Sequence, residues 1–327
     1  SPLMDMKKSI IMEEIIEKID RALIKEELKR ATFIRRTRKC NNEIYVVEAA
    51  QSPNIMNEIG RLRVIAVRNG GGGTGKSVDI DEFDTRDEAY FEQLIVWDPV
   101  EKEILGGYRF ILCEKLPIKN NGQVDTPTSE LFYYSDKFIQ EYLPYTIELG
   151  RSFVQPKYQS TGNVRKSIFT LDNLWDGLGA LLTYYPSAKY FFGKVTMYSQ
   201  FDEALRDMIL FFMKKFFPDN EKLIYPYPDK AIKTKARKAI MKLRLDGNNY
   251  QNSYRTLSKY VREHGSTIPP LFNAYMSLSA TMKMFGTALN EPFGMVEETA
   301  ILITIEDIYP EKIERHLIYK KKKKLEI

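Results

Sequence analysis

The chain contains little cysteine and little histidine, two of each in 327 residues. Cys40 and Cys113 have no paired spacing, so the sequence predicts neither a disulfide framework nor a zinc site. His264 and His316 occur in no His-x-x-x-His pattern, which leaves metal binding through imidazole without a basis. We therefore expect no metal and no permanently bound cofactor, and we interpret Cys113 as a core residue.

Long apolar runs are absent as well. The longest, such as Ile209–Met213 and Ala300–Ile303, are far shorter than the roughly 20 apolar residues that a membrane-spanning helix needs. The N-terminus lacks the apolar stretch and the small-residue cleavage site of a secretory signal. Together these absences favour a cytoplasmic protein.

Basic residues exceed acidic ones only slightly, and the net charge of +5 is concentrated in residues 31–39, 230–244 and 320–324. Such clusters attract an acidic carrier protein or the inner face of the cytoplasmic membrane, where each lysine adds about 1 kcal/mol. The five lysines of the last cluster are more typical of a solvated tail. No groove-reading motif accompanies the charge, so we do not expect nucleic acid as a partner.

Apolar periodicity and turn residues predict a mixed α/β chain in which strands and helices alternate. Residues 5–38 have apolar residues at helical spacing, which predicts one or two amphipathic helices. Strands are predicted at Glu43–Glu48, Gln93–Trp97, Ile104–Cys113, Tyr145–Leu149 with Ser152–Val154, Lys189–Val195 and Val296–Ile305. Helices are predicted at Pro53–Arg68, Lys166–Thr183, Phe201–Phe217 and Leu271–Met284.

These elements divide the sequence into five segments. We predict an N-terminal helical extension at 1–42, a core at 43–218, a basic helical insertion at 219–265, the C-terminal part of the core at 266–310 and a basic tail at 311–327. The insertion is set apart by its prolines and by its lysine-rich helical pattern. The core is therefore expected to combine two separate stretches of sequence.

A glycine-rich loop, Gly70–Ser77, matches the Walker A pattern letter for letter, which would indicate a nucleotide phosphate site. That chemistry requires a strand before the loop and a helix after it. Here the preceding Pro53–Arg68 is predicted to be a helix, and Asp79, Asp81 and Asp84 follow, which would repel a polyphosphate. We therefore interpret the match as coincidental.

Charged residues occur in segments that otherwise have the pattern of a core. They are Arg61, Arg63 and Arg68 in the predicted helix, Asp79, Asp81 and Asp84 after the loop, Arg109 in an apolar strand, and Glu148 and Arg151 in another. Buried charges need partners whether or not they perform chemistry, so each residue alone is consistent with a structural ion pair. Together they favour a single site.

Three of these stretches carry a resemblance to known proteins. Val78–Thr85, Gly107–Arg109 and Glu148–Arg151 resemble the spaced motifs of the acyl-homoserine-lactone synthases. They resemble more closely the N-acyltransferases of ornithine- and glycine-lipid synthesis, often labelled hemolysins. Further matches to the second group are Val154–Tyr158, Tyr190–Gly193 and Ile268–Tyr275, so that the resemblance covers about residues 43–310.

The resemblance implies a GNAT-like acyl-CoA N-acyltransferase fold, of α/β (α+β) class. Its mixed twisted central sheet is flanked by helices, and two central strands part so that the pantetheine arm of the acyl donor enters between them. Residues expected to bind the donor's phosphate precede a helix: Val154, Tyr158, Gln159, Thr161 and Gly162. Asn163 and Val164 replace a glycine expected of acetyl-CoA users, which favours acyl carrier protein over CoA as donor.

The implied reaction transfers a (3-hydroxy) fatty acyl group from the carrier thioester to the α-amine of an amino acid, glycine or ornithine. An α-amino group with a pKa of about 8 is mostly protonated at neutral pH, so a base must remove a proton. By resemblance that base is Glu148, while Arg151 and Arg109 orient carboxylates or hold the substrate's acid group. Four further residues are assigned to substrate binding: Asp81, Asp84, Arg61 and Arg68.

A long acyl chain needs an apolar tunnel. Candidates for its lining are Phe211, Phe212, Phe216, Phe217 and the predicted Met276–Met284 helix. Aromatic residues at helical spacing are more typical of a core. If exposed beside Lys214 and Lys215, Phe212 and Phe216 would instead form a peripheral membrane contact.

Two alternatives remain open at this point. One is another enzyme of the same fold, either an acetyl-CoA-dependent small-molecule acetyltransferase or an acyl-homoserine-lactone synthase. The other is a protein of a different class that binds a nucleotide or nucleic acid through Lys76 and the basic insertion.

Overall fold

An eight-stranded sheet forms the centre of the computed structural model, which describes residues 12–158, 164–234, 245, 247 and 249–317. The strand order is β1-β2-β3-β4-β6-β7-β10-β9. These strands are β1 (Thr32–Arg36), β2 (Glu43–Val47), β3 (Glu92–Asp98), β4 (Glu103–Leu112), β6 (Thr146–Val154), β7 (Tyr190–Met197), β9 (Lys283–Asn290) and β10 (Val296–Thr304). A small second sheet pairs β5 (Phe132–Tyr134) with β8 (Ile224–Pro226).

Helices cover both faces of the large sheet. They are α1 (Arg21–Leu28), α2 (Pro53–Asn69), α3 (Glu82–Thr85), α4 (Val164–Tyr184), α5 (Glu203–Phe216), α6 (Tyr250–Glu263), α7 (Pro270–Met276) and α8 (Pro310–Lys312). One core packs the four helices α4, α5, α6 and α7 against apolar residues of β2, β3 and β4. A second core packs α1 and α2 on the other face, and a third packs the small sheet there. The result is a layered fold with the sheet in the middle.

The two central strands, β6 and β7, separate along their length. They run parallel and pair only at Thr146, Ile147 and Glu148, opposite Tyr190, Phe191 and Phe192. Farther along, β6 continues on β4 to Val154, and β7 continues on β10 to Met197. The predicted mixed sheet with parted central strands, flanked by helices, is therefore confirmed.

Close contacts between strands explain two glycines at this point of the sheet. A Cβ on Gly107 would lie 2.3 Å from the carbonyl oxygen of Leu94, and one on Gly106 would lie 2.6 Å from that of Phe153. The pairing of β4 with β6 is irregular between Gly107 and Arg109. This irregularity bends β6, so the two predicted half-strands belong to a single strand.

Most predicted elements are confirmed within a few residues, but two are wrong. Residues 32–36 form β1 instead of continuing a helix, and Arg35 on this strand donates hydrogen bonds to the carbonyls of Asp176 and His316. The helix predicted at Leu271–Met284 ends at Met276, and β9 begins at Lys283. Helical periodicity misled the prediction in both places.

Other predictions fall partly outside the described residues. These include the lysine-rich helix, since residues 235–244 are not described, and the lysine run at 320–324. The division into five segments stays a prediction. No helix in the part of the chain that the structure describes is long and apolar enough to cross a membrane.

Candidate active site

A row of polar side chains crosses one face of the sheet. Its members are Gln93 on β3, Arg109 on β4, Glu148 on β6, Lys194 on β7 and Glu298 on β10. Gln93 lies opposite Arg109, and side chains two residues apart in a strand share a face, which carries the row through Glu148 and Lys194 to Glu298. All five are buried or nearly so, and they alternate in charge from Arg109 onward.

The row begins with a buried ion cluster between α2, α3 and the sheet. Arg63 of α2 donates two hydrogen bonds to the carboxylate of Asp84, at 3.0 and 3.2 Å, and one to Oε1 of Gln93 at 2.8 Å. Gln93 in turn donates to Asp84 at 2.7 Å. Because Arg63 and Asp84 are almost fully buried and are bound to each other, we interpret this part of the cluster as structural support.

Helix α3 is a single turn that presents two carboxylates to Arg109. Asp81 caps it by accepting from the backbone N–H groups of Phe83 and Asp84, and the Asp84 side chain accepts from the Asp81 N–H. Arg109 donates to both oxygens of Asp81, at 2.5 and 3.0 Å. Burial alone would raise the pKa of each carboxyl, but the charge of Arg109, joined at Asp84 by that of Arg63, holds both pKa values below their usual range.

Arg151 extends the cluster towards the glycine-rich loop. Its backbone has a φ of 49°, a conformation uncommon for a residue with a side chain, and it lies where β6 bends. Its Nε lies 3.1 Å from Asp79, and its guanidinium stacks 3.9 Å from the ring centre of Phe293. The N–H of Gly73 in the loop donates to the Phe293 carbonyl at 2.9 Å. The loop therefore positions Phe293 against Arg151.

Glu148 lies where β6 and β7 separate, and its carboxyl is buried. Its Oε1 accepts hydrogen bonds from the hydroxyl groups of Tyr134, at 2.8 Å, and Thr126, at 3.1 Å. Burial raises the pKa of Glu148, and the positive charge of Lys194 opposes this rise. A fixed carboxyl with a raised pKa is suited to accept a proton near neutral pH.

A cavity of about 1910 Å³ opens along the parted strands. Its polar wall includes Arg63, Asp79, Arg109, Glu148, Arg151, Lys194 and Glu298. Its apolar wall includes Leu171, Leu174, Trp175, Leu271, Ala274 and Met276 from α4 and α7. Typical sites for one small molecule occupy roughly 300–1,000 Å³, so this cavity has room for a second substrate or a long chain.

The predicted site residues divide into two groups. Arg109, Glu148 and Arg151 line the cavity together, as the sequence predicts. Arg61 does not, since it pairs with Glu58. Arg68 also lies apart, because it donates to the carbonyls of Gly75 and Lys76 and so holds the glycine-rich loop.

The two predicted substrate-binding aspartates face arginines. Asp84 has no exposed side-chain area, which keeps it out of reach of a substrate, while Asp81 keeps 30% of its side-chain area exposed. Neither residue lines the cavity, whereas Asp79 does. Their positions support a role in fixing Arg109 and Arg63 more than one in contacting substrate.

The predicted phosphate-binding segment is described only at its start. Val154 ends β6 and lines the cavity, and Tyr158 belongs to a short 3-10 turn, Pro156–Tyr158. Gln159, Thr161 and Gly162 lie outside the described residues. Their role in donor binding therefore stays a prediction.

The Walker-like loop does not have the structure of a phosphate-binding loop. Helix α2, not a strand, runs into it, and Asp81 rather than Lys76 opens the next helix, a single turn. The Lys76 side chain is exposed. The interpretation of the match as coincidental is supported by this geometry.

Phe212 of α5 and Phe217 just after it belong to the core, and Phe211 and Phe216 are partly buried against that core. Phe212 has no exposed area and Phe217 has 3%. Phe212 packs against Tyr250 of α6. None of the four predicted phenylalanines lines the cavity, and Phe212 is too deeply buried to reach a membrane. Cys113 is confirmed as a core residue, with 2% exposure.

Sequence reasoning missed Lys194 and Glu298 on the cavity wall, and Tyr134 and Thr126 behind Glu148. The signal for Lys194 was available, because it is the one charged residue of β7. Tyr134 and Thr126 lie on a long connection between β4 and β6, whose course no periodicity reveals. Among the described residues, no group of histidine, cysteine and carboxylate side chains is arranged to hold a metal ion.

Comparison with known proteins shows the family of this chain. Residues 41–167 match the model of the acetyltransferase (GNAT) domain. A glycine N(alpha)-acyltransferase of Bacteroides thetaiotaomicron is 50% identical over 306 residues, which cover 94% of this chain and 90% of that protein. The chain belongs to the glycine N(alpha)-acyltransferase family. It is therefore an acyltransferase of the GNAT superfamily.

Two further proteins are similar to this chain. A glycine N(alpha)-acyltransferase of Phocaeicola vulgatus is also 50% identical, over 94% of this chain and 93% of its own length. The solved structure of FeeM, an N-acyl amino acid synthase from uncultured soil microbes, aligns with a TM-score of 0.38 and 11% identity. It covers 84% of this chain and 95% of that chain, but at this score the likeness carries no argument.

Proposed function

We propose that this acyltransferase transfers a (3-hydroxy) fatty acyl group from a carrier thioester to the α-amine of glycine. The observation that carries the proposal is the position of Glu148, a buried carboxyl with a raised pKa on the wall of the large cavity, at the point where the strands part. The relatives named as glycine N(alpha)-acyltransferases support glycine over ornithine.

In the proposed reaction the thioester enters between β6 and β7, and the amine approaches its carbonyl carbon from the side of Glu148. Glu148 accepts a proton from the ammonium, through Oε2 or a water, because its Oε1 is already bound to Tyr134 and Thr126. The amine then attacks the carbonyl carbon, and as the carbon–sulfur bond breaks the nitrogen loses a second proton. One of the two protons leaves on the thiol and the other passes to solvent, which returns Glu148 to its carboxylate form. Strand amides beside the parted edges stabilise the oxyanion.

Arg109 and Arg151 are proposed to act on charge near the reacting atoms. Arg109 is 1% exposed and held by Asp81 and Asp84, so it acts as a fixed positive charge beside the carboxylate of Glu148. Arg151 lines the cavity and keeps 15% of its side-chain area exposed, which leaves it available to contact the donor.

We further propose that the donor is an acyl carrier protein rather than CoA, bound at Val154 to Gly162, and that the enzyme works in the cytoplasm, in peripheral contact with the inner face of the membrane. The support is the missing second glycine at Asn163 and Val164 and the basic residues at 230–244 and 320–324.

One assay tests both the acceptor and the donor. Purified protein is incubated with 3-hydroxyacyl carrier protein or with the matching acyl-CoA and a panel of amino acids that includes glycine and ornithine, and the products are identified by mass. We expect N-acylglycine, formed faster from the carrier protein. Formation of acyl-homoserine lactone or of acetylated small molecules instead would contradict the proposal.

A further inference from the structure

Two charged residues of the cavity wall have no part in the proton transfer proposed above. Lys194 on β7 and Glu298 on β10 keep only 9% and 5% of their side-chain areas exposed. The ammonium nitrogen of Lys194 lies 3.2 Å from Oε2 of Glu298. Burying an ion pair is costly, and a hydrophobic pair in the same place is often as stable, so stability alone gives a weak reason for it.

Glu298 is built to hold Lys194 in position. Its carboxylate accepts from the hydroxyl of Thr196 at 3.4 Å and from the side-chain amide of Asn290 at 3.3 Å. Burial would raise the pKa of Glu298, but the charges of Lys194 and Arg151, together with hydrogen bonds from Lys194 and Asn290, keep the pKa below its usual value. Glu298 is therefore a carboxylate at neutral pH.

Lys194 retains donors for a ligand. An ammonium has three N–H donors, and within the described residues Glu298 is the carboxylate that lies within 4.0 Å of Lys194. The arginines of the cavity wall are matched by aspartates: Arg63 and Arg109 by Asp84 and Asp81, and Arg151 by Asp79. Lys194 has one carboxylate partner among the described residues, so its ammonium keeps N–H donors that can bind a ligand in the cavity.

Lys194 also stands next to the base. Phe192 lies opposite Glu148, and Lys194 follows two residues later on the same face, where the strands have begun to part. After burial, the charge of Lys194 is the strongest influence on the pKa of Glu148. A negative group and a positive group therefore face the cavity side by side.

We propose that Lys194 binds the carboxylate of the acceptor amino acid, with Glu298 as the residue that positions its ammonium. The inference rests on the proposed function and adds a binding site to it. An α-amino acid carries its ammonium and its carboxylate on one carbon, so the first reaches Glu148 while the second reaches Lys194. The pair thereby selects α-amino acids over amines that lack an acid group.

The test compares glycine with glycinamide as acceptors for the wild type and for Lys194→Met. We expect the wild type to prefer glycine, and the variant to lose kcat/KM for glycine by about 10–100-fold, mainly through KM, since a hydrogen bond to a charged group is removed. The kcat/KM for glycinamide should fall less, because glycinamide has no carboxylate to bind and only the effect of Lys194 on the pKa of Glu148 remains, so the preference for glycine is lost. The quantity compared between wild type and variant is the ratio of kcat/KM for glycine to kcat/KM for glycinamide. The different basicity of the two amines affects both proteins alike and cancels in this comparison.

Matched variants complete the experiment. Lys189→Met, at an exposed lysine just before β7, should leave both acceptors unchanged, and Lys194→Arg should keep the preference for glycine. Thermal unfolding checks that each variant folds, and Lys194→Gln replaces the Met variant if that one does not.

Two outcomes overturn the inference. In one, the wild type uses glycine and glycinamide equally well. In the other, Lys194→Met lowers both rates equally and shifts the acid limb of the pH profile upward, which would mean that Lys194 acts only on Glu148. A wild type that acylates other amines but no amino acid would instead refute the proposed acceptor class, a result distinct from both.

Discussion

At the scale of single residues, the sequence reveals which charged residues occur in apolar segments, but not always which way their side chains face. Arg109 and Glu148 stand out because each interrupts an apolar strand, and both line the cavity. Arg61 and Arg63 lie two positions apart on one helix and so face different ways. Periodicity could not tell which of them faces the sheet, and it is Arg63 that does.

Glu148 links function to stability, because its buried carboxyl has a raised pKa. A raised pKa means that the folded protein holds this proton more tightly than the unfolded chain, so the stabilising effect is full below the unfolded pKa of about 4.3 and is lost as the pH rises through the folded value. We expect the melting temperature of Glu148→Gln, taken relative to that of the wild type, to be higher at pH 8 than at pH 5. Melting temperatures of both proteins at each pH measure this effect.

The same variant should lose acyl transfer by on the order of 10²–10⁴-fold, the usual contribution of a general base. Glu306→Gln, at an exposed carboxyl, serves as the control for both measurements. Equal acylation by wild type and Glu148→Gln, or a melting difference that does not depend on pH, would remove Glu148 from the role of base.

At the scale of elements, local sequence predicts the sheet strands well and fails where a strand or a turn depends on distant partners. Strand β1 pairs with β2, and its Arg35 donates to carbonyls on α4 and near the C-terminal end of the described chain, contacts that no local pattern encodes. Helix α3 is a single turn, too short to give a periodic signal, although Asp81 and Asp84 show the spacing of a capping box.

Helix α3 should be essential for the fold of the site, because Asp84 neutralises Arg63 and lies 3.2 Å from Arg109. We expect Asp84→Asn to destabilise the protein by about 3–5 kcal/mol, since it leaves buried guanidinium groups without their anion. Urea unfolding at pH 7 measures the change, with Asp229→Asn at an exposed position as the control.

The destabilisation caused by Asp84→Asn should be smaller at acid pH. Asp84 has a pKa held below its usual value, so its contribution is present above the unfolded pKa of about 3.9 and disappears as the pH falls towards the folded value. An Asp84→Asn variant as stable as the wild type at neutral pH would show that the cluster contributes nothing to stability.

At the scale of the whole molecule, the sequence predicts the fold class but not the shape of the cavity. The residues of its apolar wall come from α4 and α7, which lie about 100 residues apart in the sequence. Of the residues predicted to line a tunnel, Phe212 and Phe217 belong to the core instead. Only the tertiary arrangement decides which aromatic stripe faces a cavity and which faces a neighbouring helix.

A larger side chain on α7 should shorten the acyl chain that the enzyme accepts. Ala274 lines the cavity, so Ala274→Phe fills part of its apolar end. We expect lower rates with long-chain donors and unchanged rates with short-chain donors, whereas Ala204→Phe, exposed at the start of α5, should change neither. A uniform loss across donor lengths would place the acyl chain elsewhere.

The parting of β6 and β7 divides the sheet into two halves. Within the described residues, the two halves are paired only at Thr146, Ile147 and Glu148, and beyond that point β6 pairs with β4 and β7 pairs with β10. The gap is therefore closed at Glu148 and open towards Val154 and Met197. A thioester that enters at the open end meets the carboxylate that takes the proton at the end where both strands hold it.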